Sequence, residues 1–171
     1  MSQLSSQRIL CLDLRASRFG YVVCAGPRDL LDWGTRTYGK ATRFPLIKRL
    51  AAIQTLFAPS IILVRLTAEG LRTRRSVVGP AIKAVRTFAK RQSGAVRLID
   101  DQKLHDFFSS EMKVNKYDIA RIVADRFPEL SWRLPPKRRP WESEPSRQSI
   151  FDAARMGIFY FAQQVGAPIA G

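Results

Sequence analysis

Asp13 closes an apolar run, Ile9-Leu10-Cys11-Leu12, and stands directly before a basic turn, Leu14-Arg15-Ala16-Ser17-Arg18. A carboxylate at the end of a buried strand either ligates a metal or substrate at the sheet edge, or bonds nearby backbone N–H groups as a turn-forming aspartate. The local sequence favours the turn. Asp152 is the second acid placed to do chemistry. Ser149-Ile150-Phe151-Asp152 also matches a capping box, in which the acid at the third helical position satisfies the cap's N–H. Cations supply a second kind of chemistry. Lys83, Arg86 and Lys90 recur at helical spacing, as a phosphate-tracking row or an ordinary solvated face. Lys137-Arg138-Arg139 beside Trp141 suits a nucleic-acid backbone with one base stacked on the indole, or a core-packed Trp with basic neighbours. His105 is the only histidine and has no partner at metal-ligand spacing, so it reads as a packed or surface residue. Gly34 and Gly39 form no phosphate-cradling loop.

The elements that must position these residues follow from hydrophobic period. Strands are expected over Arg8 to Leu14, Phe19 to Cys24 and Leu30 to Tyr38, joined by short turns as an antiparallel meander. Phe44, Ile47, Leu50, Ala51, Gln54 and Phe57 then take helical spacing, and Pro59 stops that helix. Ser60 to Leu66 is an apolar run of the kind buried in a parallel sheet. A basic connection with Arg72, Arg74 and Arg75 leads to a helix carrying Val78, Ile82, Val85 and Ala89. Ala95 to Ile99 is a fifth strand. Asp100 and Asp101 can cap a helix through Phe108, and Asn115 another through Phe127. Pro128 to Arg147 shows no helical or strand period and reads as an ordered, Pro-rich basic loop with Trp132 and Trp141 beside it. A last helix runs from Ser149 to about Val165. That order predicts an α/β fold with a mixed sheet of about five strands, a three-stranded meander plus parallel strands, flanked by helices.

The chain has 171 residues, 29 Lys+Arg against 14 Asp+Glu, and a formal net charge of +15. One domain over 1–171 is expected, with residues 1–7 as a flexible start and 128–148 as the loop. A hydrophobic fraction of 46% argues against wholesale disorder. No run approaches the roughly 18 apolar residues of a membrane span, and no secretory leader is visible. Cys11 and Cys24 lie in buried strands and form neither a disulfide framework nor a metal pattern, which suits a reducing cytoplasm. The excess positive charge favours a polyanion, and nucleic acid above a membrane surface, because no strongly basic amphipathic helix with a bulky apolar face is present.

Taken together, Ile-Leu-Cys-Leu-Asp13, the Gly20-Tyr21 strand and the late Phe151-Asp152-Ala153-Ala154 helix resemble the ribonuclease-H-like superfamily, in its branch of RuvC-type Holliday-junction resolvases. The resemblance spans Ile9 to about Phe161, mostly as element order. It implies a Mg²⁺-dependent endonuclease (with Mn²⁺ able to substitute) acting on branched DNA or structured RNA, commonly as a homodimer. Asp13 would bridge the metal ions and Asp152 would bind them from the helix, activating water for phosphodiester hydrolysis. Arg15, Arg18, Arg72, Arg74 and Arg75 join the other cations as expected nucleic-acid contacts.

One departure stands out. The family places a Glu near the end of the fourth strand, and the matching position here is Arg65, whose guanidinium repels a cation. Glu69, four residues on, is the acid available to reach in as a further catalytic group, or else an exposed loop acid. A second acid often found one turn before the terminal Asp is Ser149 here. The expectations are therefore a nuclease, a catalytically degenerate nucleic-acid-binding protein on the same fold, a processing nuclease for pre-ribosomal RNA, or an interaction protein whose charge serves a protein partner.

Overall fold

A computed structural model describes residues 7–38, 43–67, 78–110 and 112–166. Its elements are β1 (Ile9–Leu14), β2 (Arg18–Gly26), β3 (Asp29–Thr37), α1 (Phe44–Phe57), β4 (Ile61–Leu66), α2 (Gly79–Arg91), β5 (Ala95–Asp100), α3 (Asp101–Phe108), α4 (Lys116–Arg126), a 3₁₀ helix (Pro128–Arg133) and α5 (Gln148–Val165). The sheet order is β3-β2-β1-β4-β5, with β1, β2 and β3 antiparallel and β1, β4 and β5 parallel. This is the mixed five-stranded sheet that the sequence predicts. The 3₁₀ turn is a correction: Pro128 opens it and Leu130 anchors it in the core, a length too short for periodicity to register.

Strand alternation sorts the apolar residues into two layers. Ile9 and Cys11 of β1 and Ile61 and Leu63 of β4 face α3, α4 and α5. Leu10, Leu12, Ile62 and Val64 face α1 and α2. By the same parity Asp13 and Arg65 project on the α5 side, at the carboxyl ends of adjacent parallel strands. Open α/β sheets form their functional crevices at such ends.

α5 is the element that brings the second acid over the first. Gly20 pairs with Asp13 across β1 and β2, and a Cβ there would lie 2.4 Å from the backbone carbonyl carbon and oxygen of Ser149. Only a residue without a side chain lets the first turn of α5 press this close to the sheet. Gly20→Ala is expected to lower stability by about 1–3 kcal/mol through overpacking, as read by urea denaturation. Gly157, one residue type but two turns further on, lets the same helix settle over Cys24 and Cys11, with its Cβ position 3.2 Å from the Cys24 sulfur. Both cysteines are free, and burial raises both thiol pKa values, that of Cys24 to about 12. Among the described residues no helix is long and apolar enough to cross a membrane.

Candidate functional site

Asp13 is 1% exposed and Asp152 is 2% exposed. They are brought together at the end of the sheet, where the Arg15 guanidinium hydrogen-bonds to both. Arg15 donates from Nε to Asp13 Oδ2 at 2.7 Å and from Nη2 to Asp152 Oδ2 at 2.6 Å. Its third nitrogen, Nη1, donates to Glu144 Oε2 at 2.8 Å. Arg65, 7% exposed at the end of β4, donates from Nε to the other Asp13 oxygen, Oδ1, at 2.7 Å. It also donates from Nη1 to Asp101 Oδ1 at 2.9 Å and holds Nη2 3.8 Å from Asp152 Oδ2. Arg155, one turn beyond Asp152 on α5, donates to Asp101 and sets its Nε 3.4 Å from Asp152 Oδ1. Lys116 closes the network on Glu144 Oε1 at 3.0 Å.

Both local alternatives for the two acids are therefore corrected. Asp13 is not a turn former, since both its oxygens accept from guanidinium groups rather than from backbone N–H groups. Asp152 is not a cap. The N-cap of α5 is Arg147 with no side-chain cap bond, and Ser149 Oγ donates to the Ser146 carbonyl instead. Arg15, expected at a nucleic-acid surface, turns its guanidinium inward.

The electrostatics follow from burial and pairing. Four cations, Arg15, Arg65, Arg155 and Lys116, face four carboxylates, Asp13, Asp152, Asp101 and Glu144. The formal charge of the cluster closes to zero. Burial works to lower the Arg15 and Arg65 pKa values, but Asp13 and the other acids outweigh it and raise both. Burial pushes Asp101 up, and Arg155 with Arg65 pulls it below the ordinary value. Burial raises Asp152, with Arg65 and Arg155 opposing and Asp13 adding to the rise.

Glu144 is held at about 2 against an ordinary 4.5, because the hydrogen bonds from Arg15 and Lys116 outweigh its burial. A carboxylate depressed in the folded state contributes stability that is fully present above its unfolded pKa and is lost as pH falls through the folded one. Urea midpoints measured across the window from about 4.5 down to 2 should fall less steeply for Glu144→Gln than for the unsubstituted protein. Equal slopes would remove Glu144 from the network.

The donor set does not fit the Mg²⁺ that the resemblance implies. Both oxygens of Asp13 and one of Asp152 already accept from guanidinium groups, and a third guanidinium flanks the remaining one. A divalent ion about 4 Å from one guanidinium would be repelled by roughly 8 kcal/mol at an effective dielectric near 20. Among the described residues no cluster of three or more His, Cys, Asp or Glu is arranged to hold a cation. Glu69 lies outside the described residues, as do Arg72, Arg74 and Arg75.

The remaining expected cations divide between two layers. Lys83, Arg86 and Lys90 are exposed on α2, on the face of the sheet opposite α5. Lys137, Arg138 and Arg139 are exposed on the loop that Glu144 ties to the centre. Trp141 is 77% exposed and Trp132 is 67% exposed, so neither is a core residue. A guanidinium lies over each ring, Arg133 at 4.2 Å from Trp132 and Arg139 at 5.7 Å from Trp141. Arg18 is half-buried at the start of β2, and His105 is exposed on α3.

Asp101, Glu144 and Arg155 were not singled out as site residues by sequence. Arg155 carries a usable cue, its i+3 spacing from Asp152 on one helix face. Asp101 was read as a cap, but Asp100 performs that role by accepting from the N–H groups of Gln102 and Lys103, which leaves Asp101 free for the arginines.

No family model and no curated protein matches the chain. Solved structures do. RuvC of Thermus thermophilus in complex with a Holliday-junction substrate superposes with a TM-score of 0.69 at 16% identity, covering 94% of this chain and 96% of that one. A second Thermus thermophilus RuvC structure gives 0.68 at 16% identity, over 93% and 96%. The fowlpox virus resolvase in complex with Holliday-junction DNA gives 0.53 at 12% identity, over 91% and 99%. The fold is ribonuclease-H-like, of the RuvC type.

Proposed function

We propose that this chain is a nucleic-acid-binding protein on a RuvC-type fold, which holds branched DNA or structured RNA and keeps arginines where the resemblance places metal ions. The observation that carries it is the pair of guanidiniums, from Arg15 and Arg65, that occupies both oxygens of Asp13. The net charge of +15 supports a polyanionic ligand. The exposed Lys137, Arg138 and Arg139 beside two solvent-facing tryptophans support contact with backbone and unpaired bases.

In this mechanism the buried centre is structural. It ties β1, β4, α3, α5 and the basic loop into one frame, because each arginine bridges acids from different elements. The loop's cations then meet phosphates from a fixed position. Two copies would match a two-fold symmetric junction.

Hydrolysis of the same substrate is the second reading. It is favoured by one observation, that Asp13 and Asp152 do converge on a shared cation. It requires Arg15 and Arg65 to leave that position. The two are separated by incubating a labelled four-way junction, and a structured RNA of similar size, with the protein in Mg²⁺ and in chelator. Retarded, full-length strands under both conditions are expected. Mg²⁺-dependent fragments that vanish with Asp13→Asn would establish the hydrolase instead.

A further inference from the structure

A cavity of about 330 Å³ lies between the first turn of α4 and the Pro-rich loop. Its wall includes Tyr117, Pro135, Pro136 and Pro145, with Lys137 and Arg138 from the loop. Glu144 is shared between this wall and the arginine-filled centre, through its bonds to Lys116 and Arg15. The α4 N-terminus is not itself open to a ligand, since Asn115 accepts from the N–H groups of Tyr117 and Asp118 in a full capping box.

Gln148 is the feature that points to an occupant. It lines the cavity and is only 7% exposed. Its backbone N–H bonds the Pro145 carbonyl, but its side-chain amide has no hydrogen-bond partner among the described residues. The amide is not among the described side-chain atoms buried without a partner, so it opens onto the cavity, where an amide offers a donor and an acceptor side by side. That pair matches the edge of a nucleobase, as in the two-bond recognition of adenine by Gln or Asn. The remaining chemistry agrees. Proline rings and the Tyr117 ring give apolar walls for a planar body. Lys137 and Arg138 carry no ion pair among the described residues and stand at the wall for a phosphate. The volume falls at the lower end of the range of about 300–1,000 Å³ typical of small-ligand pockets, the scale of one nucleotide.

We infer that this cavity receives one unpaired nucleotide of the bound strand, its base edge on the Gln148 amide and its phosphate toward Lys137 and Arg138. The inference rests on the nucleic-acid reading above and names what that binding selects. An unpaired or bulged nucleotide is the substrate feature, because leaving the stack costs it least.

The test compares two DNA duplexes by fluorescence anisotropy, one fully paired and one with a single bulged adenine next to a 2-aminopurine. The bulged duplex should bind about tenfold tighter, the scale of one good base contact, and its 2-aminopurine emission should change on binding. Gln148→Leu should bring the two affinities together while leaving the paired duplex unchanged. Pro136→Phe, a neutral change on the exposed loop that fills the cavity mouth, should also bring the two affinities together without touching the core. Free adenosine 5′-monophosphate in excess should leave the bulge signal in place, and its displacement would reassign the cavity to free nucleotides. Equal affinity for both duplexes in the unsubstituted protein would overturn the cavity site alone. Binding to neither would overturn the nucleic-acid reading with it.

Discussion

Asp13→Asn should destabilise the protein by about 3–5 kcal/mol, the cost of leaving buried charge without its partner. Arg15 and Arg65 both direct Nε at this carboxylate, and Arg65 has almost no solvent to turn to: its side chain is 6% exposed, that of Arg15 19%. The direction is diagnostic. In a site built from clustered carboxylates for a metal, removing one charge relieves repulsion in the metal-free protein and is neutral or stabilising. Here the same substitution unbalances a cluster that is formally neutral. Replacing Asp13 and Arg65 together, as Asp13→Asn with Arg65→Met, should recover a large part of the loss, since substituting both members of a buried pair is tolerated far better than removing one. Urea denaturation of the two variants measures both effects. A stable Asp13→Asn protein would mean that the guanidiniums are not the partners they are taken to be.

The second large effect is on binding. With six to ten phosphate contacts, affinity for a four-way junction should fall by about 10³–10⁵ between 50 and 200 mM salt. The cations that would make those contacts are not equivalent. Replacing Lys137, Arg138 and Arg139 by Gln should weaken binding and flatten the plot of log affinity against log salt by nearly one unit per contact removed. Changing Lys83, Arg86 and Lys90 on α2, across the sheet from the loop, reports separately whether the nucleic acid reaches the other layer. A partner protein in place of nucleic acid would give binding with little salt dependence.

Much of this fold was legible because its cues are local. Apolar runs bounded by turns marked all five strands, and Phe44, Leu50 and Phe57 set the period of α1 with its observed ends. Asn115 announced the start of α4, and Asp118 completes the capping box there. Element order also placed Arg65 at the end of β4, where the resemblance implies an acid. The pairing was not legible. That Arg65 lies against Asp13 follows from parallel register between β1 and β4, which β2, β3 and α1 separate in the chain, and from the parity that turns both side chains to one face. Glu144 and Asp101 belong to a loop and a helix start, where composition suggests only solvated acids. Their roles arise from arginines that approach from other elements. Arg15 misled for the same reason. In sequence it belongs to a basic turn, and only the approach of α5 over Gly20 gives it two acids to bridge.

The most direct measurement is a crystal soaked in Mn²⁺ and read by anomalous scattering at the end of β1. The filled centre predicts no anomalous peak within coordination distance of Asp13, with the guanidinium planes of Arg15 and Arg65 seated on its two oxygens. A manganese peak bound by Asp13 and Asp152, with either arginine swung aside, would contradict it.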